Sequence, residues 1–325
     1  MMSENAKKPL SLPYCEYPNT TQTSLHGQQR LPEQLQPATF AEVSPYRSNE
    51  YQITVASALT HLQLLQMARG VGESFAQREP MARYLQLPTS MPYELVGKKH
   101  IDPFGTDSFG EWTYANLIYW FIRLFLLTNP SMPKPITKLN NAVLDLSYSI
   151  LGENGDVIGG TYSEPLLQPN DNAQPFRSND PFLSAVLLGL NPILELLMEQ
   201  NAIGIQLLSE NYSSVKQSWI QGKIIHHFML ARFEGLPKED TAELMFGIYE
   251  QYQRQGYKYV VAEATNQWTG AALEAIGAVR VFFTPFRTQQ RVKESKIPLP
   301  IDVTTPDGYV SNINSGSMFY ILRLN

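Results

Sequence analysis

The sequence predicts an α/β (α+β) fold: a mixed, mostly antiparallel central sheet with flanking helices and helical insertions. Three observations lead there. The segment from His226 to Phe283 alternates strand, helix, strand, helix, strand. Asn154-Gly155 sits between two β-rich runs as a hairpin turn. The chain has 325 residues, 43% hydrophobic and 17% charged, which is enough to bury one large core.

The elements follow from local pattern. Residues 1–50 are rich in Pro, Gln, Ser and Thr and read as a flexible N-terminal extension or a loosely docked arm. Residues 51–325 read as one domain with helical insertions near 87–135 and 165–222. Gln52 to Ala56 reads as a strand. Leu62, Leu65, Met67, Val71 and Phe75 share one side of a helix over 59–75. Glu79-Pro80-Met81 opens a second short helix, with Pro80 at a tolerated first-turn position. A long helix runs from about Trp112 to Thr128, and Asn129-Pro130 ends it. Its apolar run is too short to span a bilayer and carries Arg123 in its middle, so a buried helix is expected.

Ala142 to Ile150 reads as a strand, returned by Val157 to Tyr162 after the hairpin turn. A helical stretch follows from Pro181 to about Asn201, with Pro192 as a kink or break. Ile224 to Arg232 is a strand, and Lys238 to Gln255 a helix. Tyr257 to Ala264 is β-branched and aromatic, hence another strand. Thr265 or Asn266 caps the next helix, and Gly277 stops it. Val279 to Phe283 and Met318 to Leu324 complete the strands.

Charge and cysteine content exclude some classes of function. A net charge of −5 without a Lys/Arg stripe argues against nucleic acid as the main partner. The one cysteine, Cys15, provides neither a disulfide framework nor a thiolate metal site. His61, His100, His226 and His227 share no ligand spacing, so no metal is expected. No transmembrane segment and no secretory apolar core are found, and a cytoplasmic chain is the simplest expectation.

Three patterns resemble the GNAT superfamily of acyl-CoA-dependent N-acyltransferases. Phe75-Ala76-Gln77-Arg78-Glu79-Pro80-Met81 is similar to the Phe-x-x-x-Glu-Pro-Leu/Met element of the arylalkylamine N-acetyltransferase branch. Asn154-Gly155-Asp156-Val157-Ile158-Gly159-Gly160 resembles a hairpin common in that superfamily. The unit from His226 to Gly277 resembles its cofactor-binding strand, loop and helix.

The resemblance implies an N-acyltransferase that moves an acyl group from a thioester to a primary amine by direct attack in a ternary complex. It implies acetyl-CoA or a longer acyl-CoA as co-substrate, with an acyl-carrier protein as the other donor. It implies Glu79 as general base, since an ammonium cannot attack before losing a proton. Read without it, Glu79 is a first-turn acid favoured by the helix dipole. Backbone groups of Leu230, Ala231 and Arg232 would hold the thioester. Gly235, Lys238, Thr241 and Ala242 would lie at the pyrophosphate, and Asn266 at the pantetheine arm. Either His226 or His227, on successive strand positions, could relay a proton, and His227 is the candidate taken with Glu79; a histidine satisfied within the core is the plainer reading.

The chain also departs from the pattern. Pro237 has no N–H, Glu239 and Asp240 place negative charge near the phosphate position, and Leu273 stands where many members have an acidic tyrosine. The alternative is a non-catalytic GNAT-like module that binds a ligand or a protein. The apolar insertions serve as an acyl-chain tunnel, an enlarged core or a homodimer interface.

Overall fold

The computed structural model describes residues 31–37, 51–78, 114–126, 140–167, 181–233, 236, 240–286 and 316–324. In chain order these form β1 (Gln52–Val55), α1 (His61–Arg78), α2 (Tyr114–Phe121), α3 (Asn141–Leu144), β2 (Tyr148–Leu151) and β3 (Val157–Pro165). They continue with α4 (Pro181–Asn211), α5 (Ser213–Ile220), β4 (Ile224–Arg232), α6 (Asp240–Arg254), β5 (Tyr259–Ala264), α7 (Gln267–Ala275), β6 (Val279–Pro285) and β7 (Gly316–Arg323). The seven strands form one sheet in the order β1-β2-β3-β4-β5-β7-β6. β4 and β5 are parallel and every other pair is antiparallel. The mixed, mostly antiparallel sheet expected from the sequence is therefore present.

Each face of the sheet carries its own core. On one face, Met67, Ala68 and Val71 of α1, Leu117 and Phe121 of α2, and Val186, Leu190 and Leu196 of α4 are buried together with Tyr162, Met229 and Ala231. On the other, Met245, Ile248, Tyr249 and Tyr252 of α6 and Leu273 of α7 pack on Ile225, Val260 and Ala262. Buried side chains at spacings of three and four along α1, α4 and α6 are what a sheet-packed helix requires. Each fully buried aliphatic or aromatic side chain contributes about 1.5–3 kcal/mol to this packing.

Several local expectations change. Residues 141–144 form a helical turn, and the strand begins only at Tyr148. A short apolar run fits either period, and burial of both Val143 and Leu144 selects the turn. α4 continues through Pro192 for 31 residues. The proline removes one backbone hydrogen bond, but the buried stripe through Val186, Leu190, Ile193, Leu196, Ile205 and Leu208 holds the helix on both sides of it. α2 runs into a π-helical turn, Ile122–Leu126. That turn buries Arg123, whose guanidinium carbon lies 4.7 Å from the Trp120 ring centroid and whose Nη1 donates to the Tyr119 hydroxyl at 2.9 Å. Residues 31–37 dock at the end of β7: Leu35 is buried, its carbonyl accepts from Arg323 Nη1, and Pro37 bridges to Arg323. The short helix expected at Glu79-Pro80-Met81 lies outside the described residues, as does Cys15.

Two glycine positions are set by backbone geometry. Gly155 takes φ +78° in the hairpin. Gly277 takes φ +91° after α7, where Gly277 N–H donates to Glu274 O and Ala278 N–H to Leu273 O. That double closure is a Schellman motif, which requires a left-handed residue at the position Gly277 holds. Gly204 is constrained by packing instead, because a Cβ there would overlap the ring of Phe319. A G204A variant is expected to lose about 1–3 kcal/mol of stability by overpacking. Chemical denaturation checks this, and an unchanged midpoint would show that α4 lifts freely off β7.

Candidate active site

The site is built where β4 and β5 part. Their parallel pairing covers Ile224↔Tyr259 through His227↔Ala262 and then stops. Beyond that point β4 continues to Arg232 paired with β3, and β5 continues to Ala264 paired with β7. Among the described residues, the facing edges of Met229–Arg232 and Glu263–Ala264 have no ladder partner in each other, which opens a fork inside the sheet. A bulge marks its base: Ser163 pairs with His227 and Tyr162 with Met229, so Phe228 is the extra residue. Bulges bend a strand and re-aim its side chains, and here β4 turns at the fork.

Alternation at the base of the fork sends the two histidines to opposite faces. His226 lies on the α4 face between two carboxylates. Its Nδ1 is 3.2 Å from Glu164 Oε1 on β3, and its Nε2 is 2.8 Å from Glu263 Oε2 on β5. Asn201 of α4 donates Nδ2 to Glu263 Oε1 at 3.1 Å. Burial opposes a charge on this ring, but the Glu263 charge, hydrogen bonds to Glu164 and Glu263, and the Glu164 charge outweigh it, and its pKa is pushed up to about 10.

His227 lies on the opposite face, 5.5 Å from the Tyr249 ring of α6. It is buried, and neither ring nitrogen has a hydrogen-bond partner. Burial and the neighbouring His226 charge push its pKa down to about 3. The sequence favoured His227 for proton traffic. The structure places the carboxylate partners on His226, which a strand pattern alone does not distinguish.

The other expected site residues divide. Leu230, Ala231 and Arg232 line the β4 edge of the fork. Arg232 Nη1 donates to Leu236 O at 2.7 Å, and Ser74 Oγ of α1 donates to Arg232 O at 3.1 Å. These bonds tie α1 and the loop after β4 to that edge. Asn266 lies just past the end of β5 and caps α7, its Oδ1 accepting from Trp268 N–H at 3.1 Å and Thr269 N–H at 2.9 Å. Thr241 and Ala242 fall in the first turn of α6, directly after the loop that leaves β4. Glu79, Gly235 and Lys238 lie outside the described residues. Glu164, Glu263 and Asn201 were not singled out from sequence. They come from β3, β5 and α4, and no spacing along the chain links them.

No described helix is long and apolar enough to cross a membrane. Among the described residues, no group of His, Cys, Asp and Glu is placed to hold a metal ion.

The two histidines give stability opposite dependences on pH. His226 has a folded pKa of about 10, above its ordinary value of 6.5, so its contribution is complete below about pH 6.5 and fades as pH rises through 10. His227 has a folded pKa of about 3, so its favourable neutral state is complete above about pH 6.5 and is lost as pH falls toward 3. The stability deficit of H226Q relative to the parent is expected to shrink from pH 7 to 10. H227F is expected to flatten the acid limb between pH 6.5 and 3. Thermal unfolding across pH measures both, and parallel curves for parent and variant would contradict the assignment for that residue.

Comparison with protein-family models gave no match, and comparison with curated proteins gave none. Among solved structures, the chain is similar to arylalkylamine N-acetyltransferase 2 from Aedes aegypti, at 13% identity and a TM-score of 0.47, over 85% of this chain and 99% of that one. It is similar to the C-terminal condensation domain of Ebony, in a structure with beta-alanyl-dopamine, at 11% identity and a TM-score of 0.44, over 84% and 98%. An N-acetyltransferase from Staphylococcus aureus Mu50 is similar at 10% identity and a TM-score of 0.35, over 85% and 99%. The sheet is mixed and mostly antiparallel with flanking helices, as the sequence resemblance implies, and its parallel pair β4/β5 parts after four residue pairs.

Proposed function

We propose that this chain is an N-acyltransferase that moves an acyl group from a pantetheine-linked thioester to a primary amine by direct attack in a ternary complex. The observation that carries this reading is the fork between β4 and β5. An open strand edge is a row of backbone donors and acceptors. A pantetheine arm is extended and carries amide groups, so it can lie along that edge as a further strand would. Its thioester would then reach Leu230, Ala231 and Arg232, whose backbone N–H groups would polarise the carbonyl and steady the oxyanion.

The phosphate end of the donor would lie toward α6, whose first turn holds Thr241 and Ala242, with Gly235 and Lys238 in the preceding loop. Asn266, fixed as the α7 cap, would border the arm from the β5 side. Acetyl-CoA, a longer acyl-CoA and a carrier-protein thioester share this arm. A carrier-bound donor would depend least on a loop that contains Pro237, Glu239 and Asp240.

The acceptor would approach from the α4 face. Glu79 is the base that the sequence resemblance implies. Of the two histidines this reading uses His226, because His227 is enclosed against Tyr249 with no partner for either nitrogen. The thiolate leaving group requires no protein acid, in keeping with Leu273 being packed in the core.

Calorimetric titration with CoA and acetyl-CoA, followed by thiol release with a panel of primary amines, tests the reading. Saturable donor binding and amine-dependent thiol release are expected. E79Q is expected to lower kcat by roughly 10²-fold or more at neutral pH, with donor affinity little changed. A chain that binds neither CoA nor a carrier-protein thioester would instead be a non-catalytic binding module.

A further inference from the structure

One polar side chain interrupts the stripe that α4 turns toward the sheet. The buried positions run Ile193, Leu196, Gln200, Gly204 and Leu208, at steps of three and four. Leu196 belongs to the core that includes α1 and α2, and Leu208 to the cluster around Phe319 and Ile321. Gln200 falls between them. Its amide carries two donor hydrogens and an acceptor oxygen, and apolar neighbours satisfy neither. The backbone takes the donor end: Nε2 donates to Ser317 O at 2.6 Å and to Phe282 O at 3.3 Å. Those carbonyls belong to β7 and β6, beside the register shift between Arg280 and Phe282. The acceptor end, Oε1, is buried and has no hydrogen-bond partner.

Two hydroxyls come to the same place. A Cβ on Gly204 of α4 would overlap the Phe319 ring, so Phe319 faces α4. Ser317, two positions away on the same strand, faces that side as well. Thr284 pairs with Ser317, as Phe282 pairs with Phe319, so Thr284 shares this face. Residues directly opposed in an antiparallel pair have Cβ atoms about 4.5–5.5 Å apart, close enough for their side chains to serve one ligand. Gln200 and Ser317 are 0% exposed and Thr284 is 9% exposed. Neither Ser317 Oγ nor Thr284 Oγ1 has a hydrogen-bond partner. Three enclosed oxygens from α4, β7 and β6 therefore gather with their bonding capacity unused.

We propose that Gln200 Oε1, Ser317 Oγ and Thr284 Oγ1 form a closed binding site for one structural water molecule. The donors and acceptors match. The water donates one hydrogen to Gln200 Oε1 and the other to one hydroxyl oxygen, and it accepts from the second hydroxyl. A buried polar site with two to four partners is where proteins hold water, whereas an apolar cavity stays dry. All three groups are neutral, so the set suits water rather than an ion. Glu263, held by the adjacent Asn201, has its two oxygens bonded to Asn201 and His226. Gln200 and Asn201, with the water, thereby fix one turn of α4 on β5, β7 and β6. This site is independent of the acyltransferase reading.

A high-resolution crystal structure of the full chain is the direct test. A single ordered water is expected within about 2.6–3.2 Å of at least two of the three oxygens. T284V supplies a second measurement, because it keeps the side-chain shape and removes the hydroxyl. Loss of a hydroxyl bonded to water destabilises, whereas replacement of an orphaned hydroxyl by a methyl group stabilises. T284V and S317A are each expected to lower Tm by roughly 1–4 °C. The double variant is expected to lose less than the sum, because both substitutions act on the same water. A site without density, or with the hydroxyls turned to bond one another or a backbone carbonyl, would overturn the proposal. So would a T284V variant more stable than the parent, or losses that add fully in the double variant.

Discussion

The break in the β4/β5 ladder is the constraint on which the rest of the site depends. A parallel pair that continued past His227 and Ala262 would close the sheet and leave no edge for a ligand. The bulge at Phe228 and the partners on either side keep the two strands apart: β3 holds β4 out to Arg232, and β7 holds β5 out to Ala264. Beyond the fork the two strands pair with β3 and β7 and no longer with each other.

The charged line on the α4 face sits at the closed end of this opening. The carboxyl groups of Glu164 and Glu263 flank the His226 ring, and an amide from α4 completes the inner end. Buried ion pairs often contribute little net stability, because desolvation offsets their attraction. Removing one member costs more than the pair contributes, since it strands a charge. The line therefore does more to fix geometry than to add stability. It sets the rotamer of Glu263, the ring plane of His226 and the reach of Glu164, three side chains from three strands. On the opposite face His227 stays neutral in a core of tyrosines from α6. Adjacent residues of one strand thus have opposite charge states because the sheet separates their environments.

Much of this was legible in the sequence. The element order from Ile224 to Phe283 could be read because each piece has a local cause: β-branched runs, an Asn cap, a left-handed glycine. Leu230, Ala231 and Arg232 were named through the family resemblance, and the register places them on β4 beyond its last pair with β5. Where local causes conflict, the reading failed. The run 142–150 is apolar in both periods, and tertiary burial chose a helical turn for its first part. Pro192 signals a break, but packing on both sides of it overrode the signal. The partners of His226 were hidden for a different reason, since Glu164 is 62 residues before it and Glu263 is 37 after it.

The sequence by itself determined the alternation of helix and strand, the hairpin, the caps, the absence of a basic stripe and the pair of histidines on β4. These depend on interactions between residues a few positions apart, which the chain order contains directly. Only the tertiary structure decided which histidine meets carboxylates and where the β4/β5 ladder stops. Those outcomes depend on register between strands and on helices returning from distant parts of the chain. A shift of one residue in register reverses which side chain faces which side, and no local pattern in the chain fixes that choice.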